Sequence, residues 1–167
     1  MRMTEEEFEI KYKQYSQMLF NIAFTYMKDY DNAFDIVQEV FIKYLNTKEF
    51  KNEDHEKNWL IRVTINQCKN EIKKIKKIVY VEPDKLNVVS DSSPNNSDQS
   101  IFNLISLLND KYKIVIILFY YDNLSIKQIA AALKISESAV KMRLTRAREI
   151  LRKMEEKYDR WEKNLWK

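Results

Sequence analysis

The sequence predicts an all-α protein, two small helical domains joined by a flexible linker. Three observations carry that expectation. The 167 residues include no glycine. Apolar side chains recur at three- and four-residue spacing in both halves of the chain. Between them, residues 79–100 hold both prolines, Pro83 and Pro94, in a stretch rich in Ser, Asn and Asp that lacks helical periodicity. Tight β-hairpins lean on glycine for positive φ, whereas helices can end on Asn or Lys in the left-handed region. A Pro- and Ser-punctuated segment between periodic stretches reads as a linker.

The first element is a helix over about 5–27, with Phe8, Tyr12, Tyr15, Leu19, Ile22, Ala23 and Tyr26 as one apolar stripe. Lys28 to Asp31 form a turn, and Asp31 is placed to cap a second helix whose stripe is Ala33, Ile36, Val37, Val40, Phe41 and Leu45. Its opposite face carries Asp35, Gln38, Glu39 and Lys43. A charged loop follows over about 46–55. A third helix is expected from Glu56 to Lys77, with Trp59, Leu60, Val63, Ile65, Ile72 and Ile75 apolar. Arg62, Asn66, Lys69, Asn70, Lys73, Lys74, Lys76 and Lys77 line its polar face. Three amphipathic helices of these lengths can close a bundle.

In the second half, a short helix over about 99–108 precedes Asn109, an N-cap, and Asp110 in a first turn. Residues Tyr112 to Tyr121 are almost continuously apolar. Periodicity alone admits a buried strand. The cap in front favours a central buried helix, closed behind by Asn123 in the left-handed conformation. Ser125 then caps a helix with Ile126, Ile129, Ala130 and Leu133 inward. Lys134 and Ile135 turn the chain. Ser136 caps a last helix with Val140, Leu144, Ala147 and Leu151 as its buried stripe. Two short helices joined by so few residues, with small Ala130 at the crossing, have helix-turn-helix geometry. Lys134 stands where a turn glycine is usual and must absorb the strain.

Composition removes several function classes. P-loops, dinucleotide fingerprints and nucleophile elbows all need glycine, so none is present. Cys68 is the only cysteine and His55 the only histidine, which precludes an internal disulfide and a Cys/His zinc site. His55 lies in a charged stretch and reads as a solvated loop residue rather than a catalytic one. No metal and no cofactor is expected, and no catalytic residue stands out. The acidic N-terminus has no apolar core of a signal peptide, and no apolar run approaches the ~20 residues of a membrane span. A cytoplasmic protein without membrane insertion is expected.

The net charge of +4 is unevenly placed. Residues 1–78 carry 14 basic and 13 acidic side chains, residues 101–167 carry 14 and 8, and the segment between is acidic. The exposed side of the last helix concentrates Lys141, Met142, Arg143, Thr145, Arg146, Arg148 and Arg152, with Glu149 the one acid among them. A helix this basic, second in a helix-turn-helix, suits the major groove of DNA. There Arg forks onto guanine, and either cation neutralises phosphate.

Read together, these stretches resemble the extracytoplasmic-function (ECF) subgroup of bacterial RNA polymerase sigma factors. LNDKYKIVIILFYYDNLSIKQIAAALKISESAVKMRLTRAREIL, residues 108–151, resembles sigma region 4. DYDNAFDIVQEVFIKYL, residues 29–45, resembles region 2.2, and NWLIRVTINQCKNEIKK, residues 58–74, resembles regions 2.3 and 2.4. The resemblance spans roughly residues 8–155. It implies a region 2 bundle over 1–78, a linker over 79–100 and a region 4 helix-turn-helix domain over 101–167. It implies core RNA polymerase as partner, through the β′ clamp coiled coil and the β flap, with Asp35, Gln38 and Glu39 at the clamp. It places Arg62, Asn66, Lys69, Asn70 and Lys73 at the melted −10 strand, with loop 46–55 capturing a base. Lys141, Met142, Thr145 and Arg146 match the positions facing −35 bases. Arg143 and Arg148 are expected to touch phosphate or pair with acids. Met142 stands where a small polar residue is common. Trp59 would either stack a base or pack in the core, and core packing is favoured. An anti-sigma factor is a further implied partner. Tyr158, Trp161 and Leu165 form a small stripe beyond the motif, expected to pack within the chain.

Two other readings stand beside this one. A helix-turn-helix regulator would bind DNA without joining core polymerase. An interaction module, such as a polymerase-binding decoy, would not bind DNA at all. An enzyme is more distant, since no acid/base pair or nucleophile cluster stands out.

Overall fold

The computed structural model describes residues 2–47, 49–81 and 97–165, and, of these, the side chains outside 79–81, 97–100 and 158–165. Among the described residues the chain is helical, without a strand: α1 (Glu5–Met27), α2 (Tyr30–Leu45), α3 (Glu53–Val81), α4 (Ser97–Ser106), α5 (Asp110–Ile116) with a π-turn over Ile117–Tyr121, α6 (Ile126–Leu133) and α7 (Glu137–Leu165). The chain divides into two compact units, Met1–Ser92 and Ser93–Lys167. The span expected as linker is narrower than 79–100 at both ends, because α3 runs through Val81 and α4 starts at Ser97. Residues 82–96 lie outside the described residues. No described helix is long and apolar enough to cross a membrane.

In the first unit, α1 starts on a capping box in which Thr4 and Glu7 each satisfy the other's backbone N–H. It ends at Lys28, in the left-handed region at φ 58°. Asp29, not Asp31, caps α2. Its Oδ2 accepts the Asn32 N–H at 2.9 Å, which leaves Asp31 in the first turn, where a negative charge still meets the helix N-terminus favourably. The left-handed Lys28 followed by extended Asp29 reverses the chain, so that α1 and α2 pack as a pair, with α3 across both. Tyr15, Leu19, Ile22, Ala23 and Tyr26 meet Ala33, Ile36, Val37, Val40 and Phe41 in the core, joined by Leu60, Ile61, Ile65 and Cys68.

Three expectations on packing need correction. Leu45 is exposed and Tyr44 is the buried residue at that end of α2. The helical spacing permitted either, and Tyr44 is drawn in because its hydroxyl finds a carboxylate there. Ile75 is exposed because it lies beyond the reach of the two shorter partner helices. Helix α3 begins three residues earlier than expected, capped by Asn52, whose Oδ1 accepts the His55 N–H at 2.8 Å.

The early start matters because it seats Glu56, only 6% exposed, inside the bundle. Its Oε2 accepts from Lys11 Nζ at 2.8 Å and Tyr15 Oη at 3.1 Å, and its Oε1 from Tyr44 Oη at 2.5 Å. One carboxylate thus joins all three helices. Burial by itself would raise its pKa. The Lys11 and Tyr44 hydrogen bonds, with the Lys11 charge and the Tyr15 hydroxyl behind them, outweigh burial and hold the carboxyl below its usual value. Burial and the same carboxylate push both tyrosine hydroxyls far up.

The second unit is built around α5. Asn109 stands at its N-cap position but makes no side-chain cap bond. Ile114 to Leu118 are all buried. The expected single helix to Tyr121 loosens into a π-turn, with the Asp122 N–H reaching back to the Ile117 carbonyl at 3.0 Å. The Leu124 N–H closes on the Leu118 carbonyl at 2.9 Å, with Asn123 left-handed at φ 56°. Asn123 therefore takes the glycine-like position, as its sequence context suggests. Burial does not extend through the whole apolar run, since Tyr120 is 50% exposed and Phe119 and Tyr121 are partly so.

Two measurements check this account. Replacing Glu56 by Gln removes the ion pair with Lys11 while keeping the shape, and should destabilise the first unit by about 2 kcal/mol in urea unfolding. The pH profile of that stability has a fixed sign. A carboxyl depressed in the folded state stabilises at neutral pH and loses its contribution as pH falls through the ordinary glutamate range near ~4. Tyrosines raised in the folded state stabilise below about pH 10 and cease to do so as pH climbs past it. Melting of wild type should therefore weaken at both extremes, and the Glu56→Gln variant should lose most of the acid limb.

Candidate nucleic-acid and protein interface

The helix-turn-helix is assembled from local capping. Ser125 opens α6 in a capping box with Gln128, its Oγ accepting the Gln128 N–H at 3.1 Å and Gln128 Oε1 accepting the Ser125 N–H at 2.9 Å. Helix α6 ends at Lys134, left-handed at φ 56°, and the Ile135 N–H turns back to the Ala130 carbonyl at 3.1 Å. Ser136 Oγ then accepts the Ala139 N–H at 3.1 Å and starts α7. Ile129, Ala130 and Ala132 of α6 are buried with Val140, Leu144 and Ala147 of α7. Ile126, Leu133 and Leu151 are only partly covered.

This packing fixes which side of α7 is free. Lys141, Met142, Thr145, Arg146, Arg148 and Arg152 are all exposed, with Met142 at 66%, and Arg143 is half-buried. The structure thus brings the expected residues other than Arg143 to one open side of one helix. Thr145 donates its hydroxyl to its own helix, at the Lys141 carbonyl, 3.0 Å away, which leaves its oxygen as an acceptor. Among the described residues Arg148 pairs with no acid. Its Nε donates to Tyr120 Oη at 2.6 Å, and its guanidinium lies over the Phe119 and Tyr120 rings.

On α3, Arg62 is half-buried, and Asn66, Lys69, Asn70 and Lys73 are exposed at helical spacing along one line. No carboxylate interrupts that line, although Glu71 pairs with Lys74 beside it at 3.9 Å. Near the start of α3, Phe50 packs between Tyr44, Trp59 and His55, at centroid distances of 5.7, 5.5 and 5.6 Å. Trp59 is half-buried within this cluster, in keeping with a packing role. His55 is exposed, and its Nδ1 accepts the Lys51 N–H at 3.2 Å.

On α2, Asp35, Gln38 and Glu39 are exposed. Apolar neighbours share that outer surface: Phe34 is 44% exposed and Ile42 60%, with Leu45 also open. Sequence reasoning passed over Phe34 and Ile42, yet their spacing of eight residues, with Gln38 midway, is the signal that places them on one stripe. Gln67, a buried side chain of α3, accepts from Lys43 and donates to Glu39, so the charged edge of α2 is anchored to α3. Among the described residues no group of His, Cys, Asp and Glu could hold a metal ion.

Two segments of the chain match described families: residues 12–78 match Sigma-70 region 2, and residues 98–151 match Sigma-70, region 4. Over 160 residues the chain is 30% identical to the ECF RNA polymerase sigma factor SigW of Bacillus subtilis (strain 168), covering 83% of each protein. It is 29% identical to the RNA polymerase sigma factor SigV of the same organism over 140 residues, 83% of this chain and 84% of that one. Among solved structures, the sigma factor RpoE in its co-crystal with the anti-sigma factor NepR from Bartonella quintana superposes with a TM-score of 0.70 at 19% identity, covering 90% of this chain and 98% of that one. CnrH in complex with the cytosolic domain of CnrY gives 0.67 at 18%, covering 92% and 90%. At those identities the structures establish a shared fold.

The left-handed Lys134 yields a prediction. A non-glycine residue there costs ~1–2 kcal/mol, and glycine gives back part of that through a freer unfolded chain. Lys134→Gly should stabilise the second unit by about 0.5–1 kcal/mol in chemical denaturation. A loss of stability would mean that the lysine side chain contributes more than its backbone costs.

Proposed function

The chain belongs to the ECF subgroup of RNA polymerase sigma factors, and on that premise we propose that it joins core RNA polymerase and directs it to promoters carrying matching −35 and −10 elements. The observation that carries this reading is the open basic side of α7, second helix of a helix-turn-helix, in the same chain as a three-helix unit with a mixed apolar and acidic outer surface. Helix α7 enters the major groove of the −35 duplex, where Lys141, Met142, Thr145 and Arg146 face base edges and Arg143 and Arg148 lie toward the backbone. Arg62, Asn66, Lys69, Asn70 and Lys73 on α3 run along the melted −10 strand, their cations neutralising its phosphates. Asp35, Gln38 and Glu39, with exposed Phe34 and Ile42 beside them, dock α2 on the clamp coiled coil of the β′ subunit. The second unit has the β flap as its polymerase contact.

The protein's part in this scheme is binding, and the bond-making is the polymerase's. Holding single-stranded −10 DNA lowers the cost of opening it, and two modules on one chain raise the effective concentration of the second contact once the first is made. The site of action is that of the polymerase, in the cytoplasm. The co-crystal partner of the Bartonella quintana neighbour supports an anti-sigma factor as a further partner here. A regulator acting without polymerase is the weaker reading, because the sequence matches extend over both regions of a sigma factor.

Run-off transcription with purified core polymerase, followed by mapping of start sites, tests the proposal. Wild type should start transcription at discrete sites. Lys141→Ala combined with Arg146→Ala should lower that signal at least ~10-fold, the cost of one or more lost base contacts. Asp35→Arg should weaken association with core polymerase while leaving the melting temperature of the first unit in place. A protein that binds duplex promoter DNA but never redirects core polymerase would sink the proposal.

A further inference from the structure

The π-turn at the end of the central helix of the second unit presents consecutive aromatics, Phe119 and Tyr120, to α7. A regular helix would advance each of these residues to a different angle. The extra residue per turn, seen in the Asp122 to Ile117 bond, is what re-aims them. Tyr120 remains half exposed, so core packing does not account for it. Its hydroxyl instead accepts from Arg148 Nε at 2.6 Å, and the guanidinium carbon sits 5.5 Å from the Tyr120 ring centroid and 5.7 Å from that of Phe119.

Arg148 is not an isolated surface arginine. Lys141, Thr145, Arg148 and Arg152 follow one another at spacings of four, three and four residues, and so form a single ridge along α7. All four are exposed. The ridge lies on the flank of the helix nearest the buried Leu144 line, whereas Met142 and Arg146 lie on the side away from it. The hydrogen bond to Tyr120 occupies only Nε. Among the described residues nothing engages the two terminal nitrogens of the fork, the pair that grips a phosphate bidentately. The Phe119 and Tyr120 rings, edge to face at 79°, flank the guanidinium and restrict its rotation. An unrestrained arginine loses much of its rotamer freedom on gripping a phosphate, and Arg148 has lost it beforehand.

We propose that Tyr120 is a positioning residue which pre-orders Arg148 as a clamp for a backbone phosphate of the −35 duplex. This rests on the reading of α7 as the helix that enters that duplex, and it adds a residue of the central helix to the interface. Arg148 fixes the register of α7 on the groove and reads no base. Tyr120 touches no DNA and acts through the geometry of Arg148.

The test uses holoenzyme reconstituted from core polymerase and the full chain, with promoter affinity measured against KCl concentration on a matched and a −35-scrambled duplex. Arg148→Ala should make the salt dependence shallower by about one unit of logarithmic slope, equally on both duplexes. Tyr120→Phe keeps both rings and the cation, so it should keep the slope and weaken binding roughly fivefold, the value of one ordinary hydrogen bond. The double variant should bind no worse than Arg148→Ala alone, because the two residues act as one unit. Should Arg148→Ala melt too low to use, Arg148→Lys keeps the charge but loses both the fork and the Nε bond, so it should keep the salt slope and bind more weakly than Tyr120→Phe. Additive losses in the double variant overturn the proposal, as does wild-type affinity in Tyr120→Phe or an altered base preference in Arg148→Ala. A wild-type holoenzyme indifferent to the −35 sequence overturns the reading of α7 and this proposal with it. Intact −35 dependence with additive losses overturns the proposal alone.

Discussion

A carboxylate taken out of water is costly unless both its oxygens are occupied. Glu56 meets that condition with a lysine and a tyrosine from α1 and a second tyrosine from α2, while its own backbone belongs to α3. Apolar stripes can slide by a helical step and still find a core, but this junction has one solution. It sets the depth of Tyr44 and ties α3, which the Asn52 cap opens, to both neighbouring helices. Through them it sets the register between the α2 surface with Asp35, Gln38 and Glu39 and the α3 line that begins at Arg62. A small three-helix bundle has few other polar devices to specify one packing, which gives this buried network its structural weight.

The second unit solves a different problem, that of turning sharply without glycine. Lys134 and Asn123 both take positive φ, as Lys28 does in the first unit. The Asn123 and Lys134 corners are held by the next residue's N–H, Leu124 to the Leu118 carbonyl and Ile135 to the Ala130 carbonyl, and the Lys28 corner by its own N–H to the Phe24 carbonyl. The π-turn belongs to the same economy. It ends α5 within the core and swings Phe119 and Tyr120 outward, so that the strain of closing the helix leaves two rings beside the basic helix α7.

Charge is then distributed by unit rather than by protein. The basic excess lies in the second half of the chain, with a cluster of cations on the open side of α7, while α2 offers acids beside exposed apolar side chains. A modest net charge of +4 conceals the division.

The sequence by itself determined the helical class, the extent of α1, the two serine caps and the left-handed roles of Asn123 and Lys134, because these follow from interactions within a few residues of each other. It also placed Lys141, Met142, Thr145 and Arg146 on an open face, since the period of the apolar stripe leaves them no other. Tertiary structure alone decided that Glu56 is buried, that Tyr44 rather than Leu45 turns inward, and that Arg148 meets Tyr120 and not an acid. In a string of letters Glu56 is one more charge in a charged stretch. Its partners lie 45, 41 and 12 residues away, and no local periodicity encodes a contact at such distances. The pairing of Tyr120 with Arg148, 28 residues apart, likewise depends on a π-turn that the apolar run from Tyr112 to Tyr121 does not announce.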